Sequence, residues 1–212
     1  MKARLAPEEL LLYLVTDRPL CLGKDLKQTV LQAVEGGVTI VQLREKDIDT
    51  KDFVDLAIKL KAALLPHGIK LIINDRVDVA LASDADGVHI GQSDMPYGLA
   101  RKILGDDKII GLSVETMDDL KIANEMDVDY VGISPVYSTP TKTDTAAPFG
   151  LDGLREAVKR SKHPTVAIGG MNKNTAADVM ATGCDGIAVV SAIVSAEDPK
   201  SAAAELLNII SR

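Results

Sequence analysis

Beyond Val41 the chain reads Gln42-Leu43-Arg44-Glu45-Lys46-Asp47. In extended backbone, alternate residues share a side. Gln42, Arg44 and Lys46 therefore point one way and Leu43 the other. An amide with two cations on one side suits a phosphate or pyrophosphate; the competing reading is a solvated strand end whose charges alternate by chance. Two more apolar runs end in a carboxylate, in Ile73-Asn74-Asp75-Arg76 and in Gly91-Gln92-Ser93-Asp94. Neighbouring strands lie about 4.8 Å apart, so Asp75 and Asp94 could converge on one ion. Two carboxylates completed by water and substrate phosphate oxygens are a Mg²⁺ environment. Either aspartate could instead cap a following helix.

Ser113 closes another apolar run, where its hydroxyl could bond a substrate or cap the helix beyond. Thr139, Thr141 and Lys142 lie in a long stretch, 134–149, with Gly150 after it. Two hydroxyls and an ammonium there suit a loop closing on phosphate, although a plain exposed loop has the same composition. Gly169-Gly170 and Val190-Ser191 follow the last two apolar runs. Glycine lets backbone N–H groups approach an anion, and a tight turn would use it too. Glu115 and Glu125 read as solvated helix charges. His67 and His163 read as exposed, and His89 as a packed or hydrogen-bonded core residue. No Ser-His-Asp order, Cys/His metal spacing or GxGxxG fingerprint is present.

Such residues need a scaffold that brings them together. Strand-like runs at 10–15, 38–43, 69–73, 87–90, 108–112, 130–133, 165–168 and 186–190 alternate with helical stretches at 24–35, 50–65, 77–81, 96–104 and 117–126, one ending near 160, and others at 175–182 and 199–210. Gly36-Gly37 would stop the first helix, and Asp49 or Thr50 would cap the second. Strict alternation predicts parallel strands with helical crossovers. Eight units predict one (β/α)₈ barrel over 1–212, with an open doubly wound sheet as the rival. In a barrel, the polar residues at strand C-terminal ends share one mouth.

The chain has 212 residues, 46% of them apolar, and a formal net charge of −7. That charge argues against a general nucleic-acid binder but not against anionic substrates held locally. No apolar run approaches the length of a membrane span. Cys21 and Cys184, with no signal-peptide pattern, fit reduced thiols in a cytoplasmic protein. A homo-oligomer is compatible with the sequence.

Taken together, the segments resemble the thiamin phosphate synthase family almost end to end. They are Tyr13-Leu14-Val15-Thr16-Asp17-Arg18, Gln42-Leu43-Arg44-Glu45-Lys46, Asn74-Asp75, Asp86-Gly87-Val88-His89-Ile90-Gly91-Gln92-Ser93-Asp94, Gly111-Leu112-Ser113, Asp129-Tyr130-Val131-Gly132, Thr139-Pro140-Thr141-Lys142 and Ala167-Ile168-Gly169-Gly170. The resemblance implies a Mg²⁺-assisted transferase of two small-molecule substrates. A hydroxymethylpyrimidine diphosphate would lose pyrophosphate dissociatively, and a hydroxyethylthiazole phosphate nitrogen would attack the methylene carbon. It implies that Gln42, Arg44, Lys46, Asn74, Ser113 and Lys142 hold the diphosphate substrate, with Arg44, Lys46, Ser113 and Lys142 catalytic. Asp75 and Asp94 would carry the metal. Thr139, Thr141, Gly170, Val190 and Ser191 would hold the thiazole phosphate. Ser134 stands before Pro135 where the family more often has glycine. Rival readings are a thiazole tautomerase of the same superfamily and a non-catalytic barrel that binds a phosphate ligand.

Overall fold

A computed structural model describes residues 4–138 and 147–211. Its strands are β1 (Leu12–Val15), β2 (Ile40–Leu43), β3 (Lys70–Asn74), β4 (Gly87–Ile90), β5 (Ile109–Val114), β6 (Tyr130–Ile133), β7 (Thr165–Ile168) and β8 (Gly186–Val189). Between them run α1 (Leu26–Glu35), α2 (Thr50–Leu64), α3 (Val77–Ala82), α4 (Tyr97–Leu104), α5 (Met117–Ala123), α6 (Gly150–Arg160) and α7 (Ala176–Met180). After β8 come a single-turn helix, α8 (Ser191–Val194), and α9 (Pro199–Ile210). All neighbouring strands pair in parallel, and β1 pairs with β8, closing the barrel. The expected (β/α)₈ architecture is thus present, and the open sheet is excluded.

Strand alternation divides the core into two shells. Tyr13, Val15, Ile40, Ile72, Ile109, Tyr130, Val166 and Ala188 pack inside the barrel. Leu12, Leu14, Val41, Leu43, Leu71, Ile73, Val88 and Ile90 face the helices. Both faces are buried, so the strands read as near-continuous apolar runs. Gly36 and Gly37 do more than end α1. A Cβ on Gly36 would lie 2.3 Å from the Lys200 carbonyl oxygen, and one on Gly37 would lie 2.4 Å from Leu207 Cδ2. Their lack of side chains lets α9 pack close.

The base of the barrel repeats one device four times. The residue just before each even strand donates its N–H to, and accepts at its side chain from, the same residue at the start of the preceding odd strand. Thr39 does this with Leu12, Asp86 with Leu71, Asp129 with Ile110 and Asp185 with Thr165. The side-chain bonds are 2.7 to 3.0 Å long. Each satisfies a strand N–H that would otherwise lack a partner where pairing begins.

Several boundaries differ from the sequence pattern. Residues 7–10 form a 3-10 turn begun by Pro7, so β1 starts at Leu12. Strand β5 continues to Val114, which places Ser113 within the strand, paired with Gly132. Asp49 occupies the N-cap of α2, but neither it nor Thr50 makes a side-chain capping bond there. The single turn α8 is too short to leave a periodic signal.

Candidate active site

The C-terminal mouth of the barrel opens into a cavity of about 1010 Å³. Every strand or the segment just past its end contributes to the lining, through Asp17, Gln42, Asp75, His89, Ser113, Ser134, Gly169 and Val190 among others.

On the β2 side, Gln42 is buried, Arg44 is partly buried and Lys46 is exposed, and all three line the cavity. Leu43 instead packs against the helical layer. Arg44 is fixed at two points. Its backbone N–H donates to Thr16 Oγ1 (3.0 Å), and its Nη1 donates to Asp17 Oδ2 (2.7 Å). Glu45 is held by Arg18 through two bonds of 2.7 and 3.1 Å. The intervening negative charge is therefore paired, as are the two cations, Arg44 with Asp17 and Lys46 with Asp75.

Neither Asp75 nor Asp94, the aspartates expected to hold a metal, caps a helix. Arg76 and Pro96 occupy the N-caps of α3 and α4. Asp94 Oδ2 accepts from the Gly91 N–H at 2.7 Å, and Asp75 Oδ2 accepts from Lys46 Nζ at 2.5 Å. Asp75 holds a left-handed backbone, φ +63°. Burial raises the Asp94 carboxyl above its ordinary pKa, and the adjacent Asp75 charge adds to the rise. A carboxylate destabilised in this way beside a second one and open space fits a hard divalent cation, which would relieve the repulsion. Among the described residues no cluster of three or more His, Cys, Asp or Glu side chains could hold a metal.

Across the mouth, Gly169 and Gly170 have φ of +98° and +74°. A Cβ on Gly169 would lie 2.9 Å from Pro135 Cβ, and one on Gly170 would lie 2.8 Å from Tyr137 Cβ. Packing beneath the β6 loop thus requires glycine there, beyond any approach to an anion. Val190 and the exposed Ser191, which opens α8, line the same side. The Ser134–Pro135 peptide is cis, and Val136 N–H donates to the Ile168 carbonyl at 2.8 Å, joining the loop start to β7. Asn74 and Ser113 also line the cavity. Thr139, Thr141 and Lys142 lie outside the described residues.

Among the residues of the mouth that the sequence left without a site role are Asp17, Glu115 and His89, although His89 is the buried, hydrogen-bonded residue expected. Asp17 sits at the end of β1, and the strand-end rule applied to that first strand would have found it. Glu115 lies on the loop before α5 and lines the cavity, so it is not a helix charge. His89 lies between Val88 and Ile90, both in the helix-facing shell. Alternation alone turns His89 inward, where it lines the cavity and bonds Tyr130 and Ser113. His163 is only partly exposed, with Nε2 3.0 Å from the Ala123 carbonyl oxygen.

A family model described as thiamine monophosphate synthase matches residues 12–193. The chain belongs to the thiamine monophosphate synthase family. Its relatives in that family include the thiamine-phosphate synthase of Albidiferax ferrireducens, 52% identical over 96% of this chain and 93% of the relative. That of Leptospira biflexa is 52% identical over 92% of this chain and 95% of the relative. Among solved structures, the thiamine phosphate pyrophosphorylase of Pyrococcus furiosus superposes with a TM-score of 0.89 at 40% identity, over 97% of each chain. Membership of the synthase family bears out the resemblance read from the motifs, and the superposition bears out the barrel.

Proposed function

We propose that the protein is a thiamine-phosphate synthase, a transferase that joins a hydroxymethylpyrimidine diphosphate to a hydroxyethylthiazole phosphate and releases pyrophosphate. The observation that carries this reading is one cavity with two unlike sides. The fixed Arg44 and Lys46 face an aspartate pair, and glycine-lined backbone lies opposite. Its relatives' names support it.

Gln42, Arg44, Lys46, Asn74, Ser113 and Lys142 hold the pyrimidine diphosphate in this reading. Gly170, Val190, Ser191, Thr139 and Thr141 hold the thiazole phosphate. The methylene carbon–oxygen bond breaks with its electron pair leaving on pyrophosphate, and the thiazole nitrogen lone pair then forms the new carbon–nitrogen bond. Arg44, Lys46 and Lys142 stabilise the departing charge, and the walls hold the nitrogen in line. No covalent nucleophile is needed from the protein, which accounts for the missing triad. Asp75 and Asp94 would hold Mg²⁺, which when bound neutralises diphosphate charge. The reduced cysteines fit a cytoplasmic enzyme; both are buried and unpaired.

Incubation with both substrates and Mg²⁺ should yield pyrophosphate and thiamin phosphate in equal amounts. Wild-type protein that releases no pyrophosphate would overturn the reading; isomerisation of a thiazole phosphate alone would favour a tautomerase.

A further inference from the structure

Below the charged mouth, five side chains from five strands form one hydrogen-bonded line. Gln42 Nε2 donates to the Tyr13 hydroxyl at 2.9 Å, and the Tyr13 and Tyr130 hydroxyls lie 2.7 Å apart. The Tyr130 hydroxyl is 3.0 Å from His89 Nδ1, and His89 Nε2 is 2.9 Å from Ser113 Oγ. Both tyrosines are fully buried, at 1% and 0% exposure, whereas Gln42 and Ser113 line the cavity. The His89 and Tyr130 rings stack with centroids 5.4 Å apart. Glycines make the room. A Cβ on Gly111 would lie 2.1 Å from Tyr130 Cζ, and one on Gly132 would lie 3.1 Å from His89 Cε1.

Proton counting gives this line a direction. A phenol has one proton to donate. Tyr13 accepts from Gln42, so its own proton goes to Tyr130. The Tyr130 proton then goes to His89 Nδ1, which must be the unprotonated nitrogen. The neutral ring carries its proton on Nε2 and donates to Ser113. Ser113 is left with its own proton to offer to the cavity, and Gln42 with its carbonyl oxygen as acceptor. Burial raises both phenol pKa values, which keeps both hydroxyls protonated. Reversing one member requires reversing all, including a flip of the Gln42 amide.

We propose that Tyr13, Tyr130 and His89 are positioning residues, a one-way hydrogen-bond relay across the barrel that sets Ser113 as a donor and the Gln42 carbonyl as an acceptor toward the pyrimidine substrate. The substrate named rests on the synthase reading; the relay does not. It couples two site residues on strands that are not neighbours, so a change at one end is felt at the other. It also gives buried polar groups in an apolar interior a role that packing alone would not require.

The test is nitrogen NMR of the substrate-free protein with isotope-labelled histidine, with His67→Gln and His163→Gln used to assign the three signals. Wild type should show neutral His89 protonated on Nε2. Gln42→Leu, which does not touch His89, should release the direction and populate both tautomers, as should Tyr13→Phe and Tyr130→Phe. With Mg²⁺ present, each phenylalanine variant should raise KM for the pyrimidine diphosphate about tenfold, roughly one hydrogen bond, and leave KM for the thiazole phosphate unchanged. A His89 proton on Nδ1 in wild type would overturn the relay, as would a tautomer unmoved by all three variants. Should Tyr130→Phe fail to fold, Gln42→Leu and Tyr13→Phe still decide the matter. Wild type without pyrophosphate release would sink the synthase reading while leaving the histidine signal to judge the relay.

Discussion

At the scale of single residues, Asp75 separates what the backbone prefers from what the chemistry needs. It occupies left-handed φ/ψ space that costs a residue with a Cβ and costs glycine little. Asp75→Gly and Asp75→Val should both lower turnover about 10²-fold and blunt the Mg²⁺ dependence. Val should also be less stable than Gly by about 1–3 kcal/mol, because a β-branched side chain is strained at that φ. Steady-state rates over a Mg²⁺ titration and urea midpoints separate the two effects. Asp94→Asn should match the kinetic loss without the strain, and an unchanged Mg²⁺ titration there would remove Asp94 from the metal site. That Gln42, Arg44, Lys46, Asp75 and Asp94 share one cavity was legible from alternation along 42–46 and from the paired aspartates. The pairing of Arg18 with Glu45 and of Asp17 with Arg44 was not, because those partners are distant in sequence and meet only when β1 and β2 align.

At the scale of elements, the βα loops carry the chemistry and the αβ ends carry stability. Gly170 should resist substitution on both counts. Gly170→Ala places a Cβ against Tyr137 at positive φ, so it should cost about 1–3 kcal/mol and raise KM for the thiazole phosphate. Asp86→Ala should behave oppositely. It strips the Leu71 N–H of its side-chain partner and should cost about 1–3 kcal/mol in urea unfolding, with kcat kept in the folded protein. The short strands β4, β6 and β7 were readable to the residue, whereas the long apolar run 10–15 hid the true start of β1. Strand β5 was read too short because Ser113 interrupts its hydrophobic pattern one residue before Val114.

For the whole molecule, the two-sided mouth implies that ligands are a source of stability. Mg²⁺ with inorganic pyrophosphate should raise the thermal midpoint, corresponding to about 2.7 kcal/mol at a hundredfold excess over Kd. The same pyrophosphate with chelator should raise it much less. Equal shifts with and without metal in a calorimetric scan would count against a metal-bridged diphosphate.

The four clamps at the base suggest a molecule built from four two-strand modules. Each joins β1 to β2, β3 to β4, β5 to β6 or β7 to β8 by the same bonding pattern. Three use aspartate and one uses threonine, yet the bonding scheme is unchanged. The lower rim therefore has an approximate fourfold symmetry that the upper rim lacks. The cations Arg44 and Lys46 stand on the first quarter of the mouth, the Asp75 and Asp94 pair on the second and the Gly169-Gly170 pair on the fourth. A symmetric foundation lets each quarter be altered at its top without resetting the register of the others, an independence that would let one small barrel serve the two phosphorylated substrates proposed above.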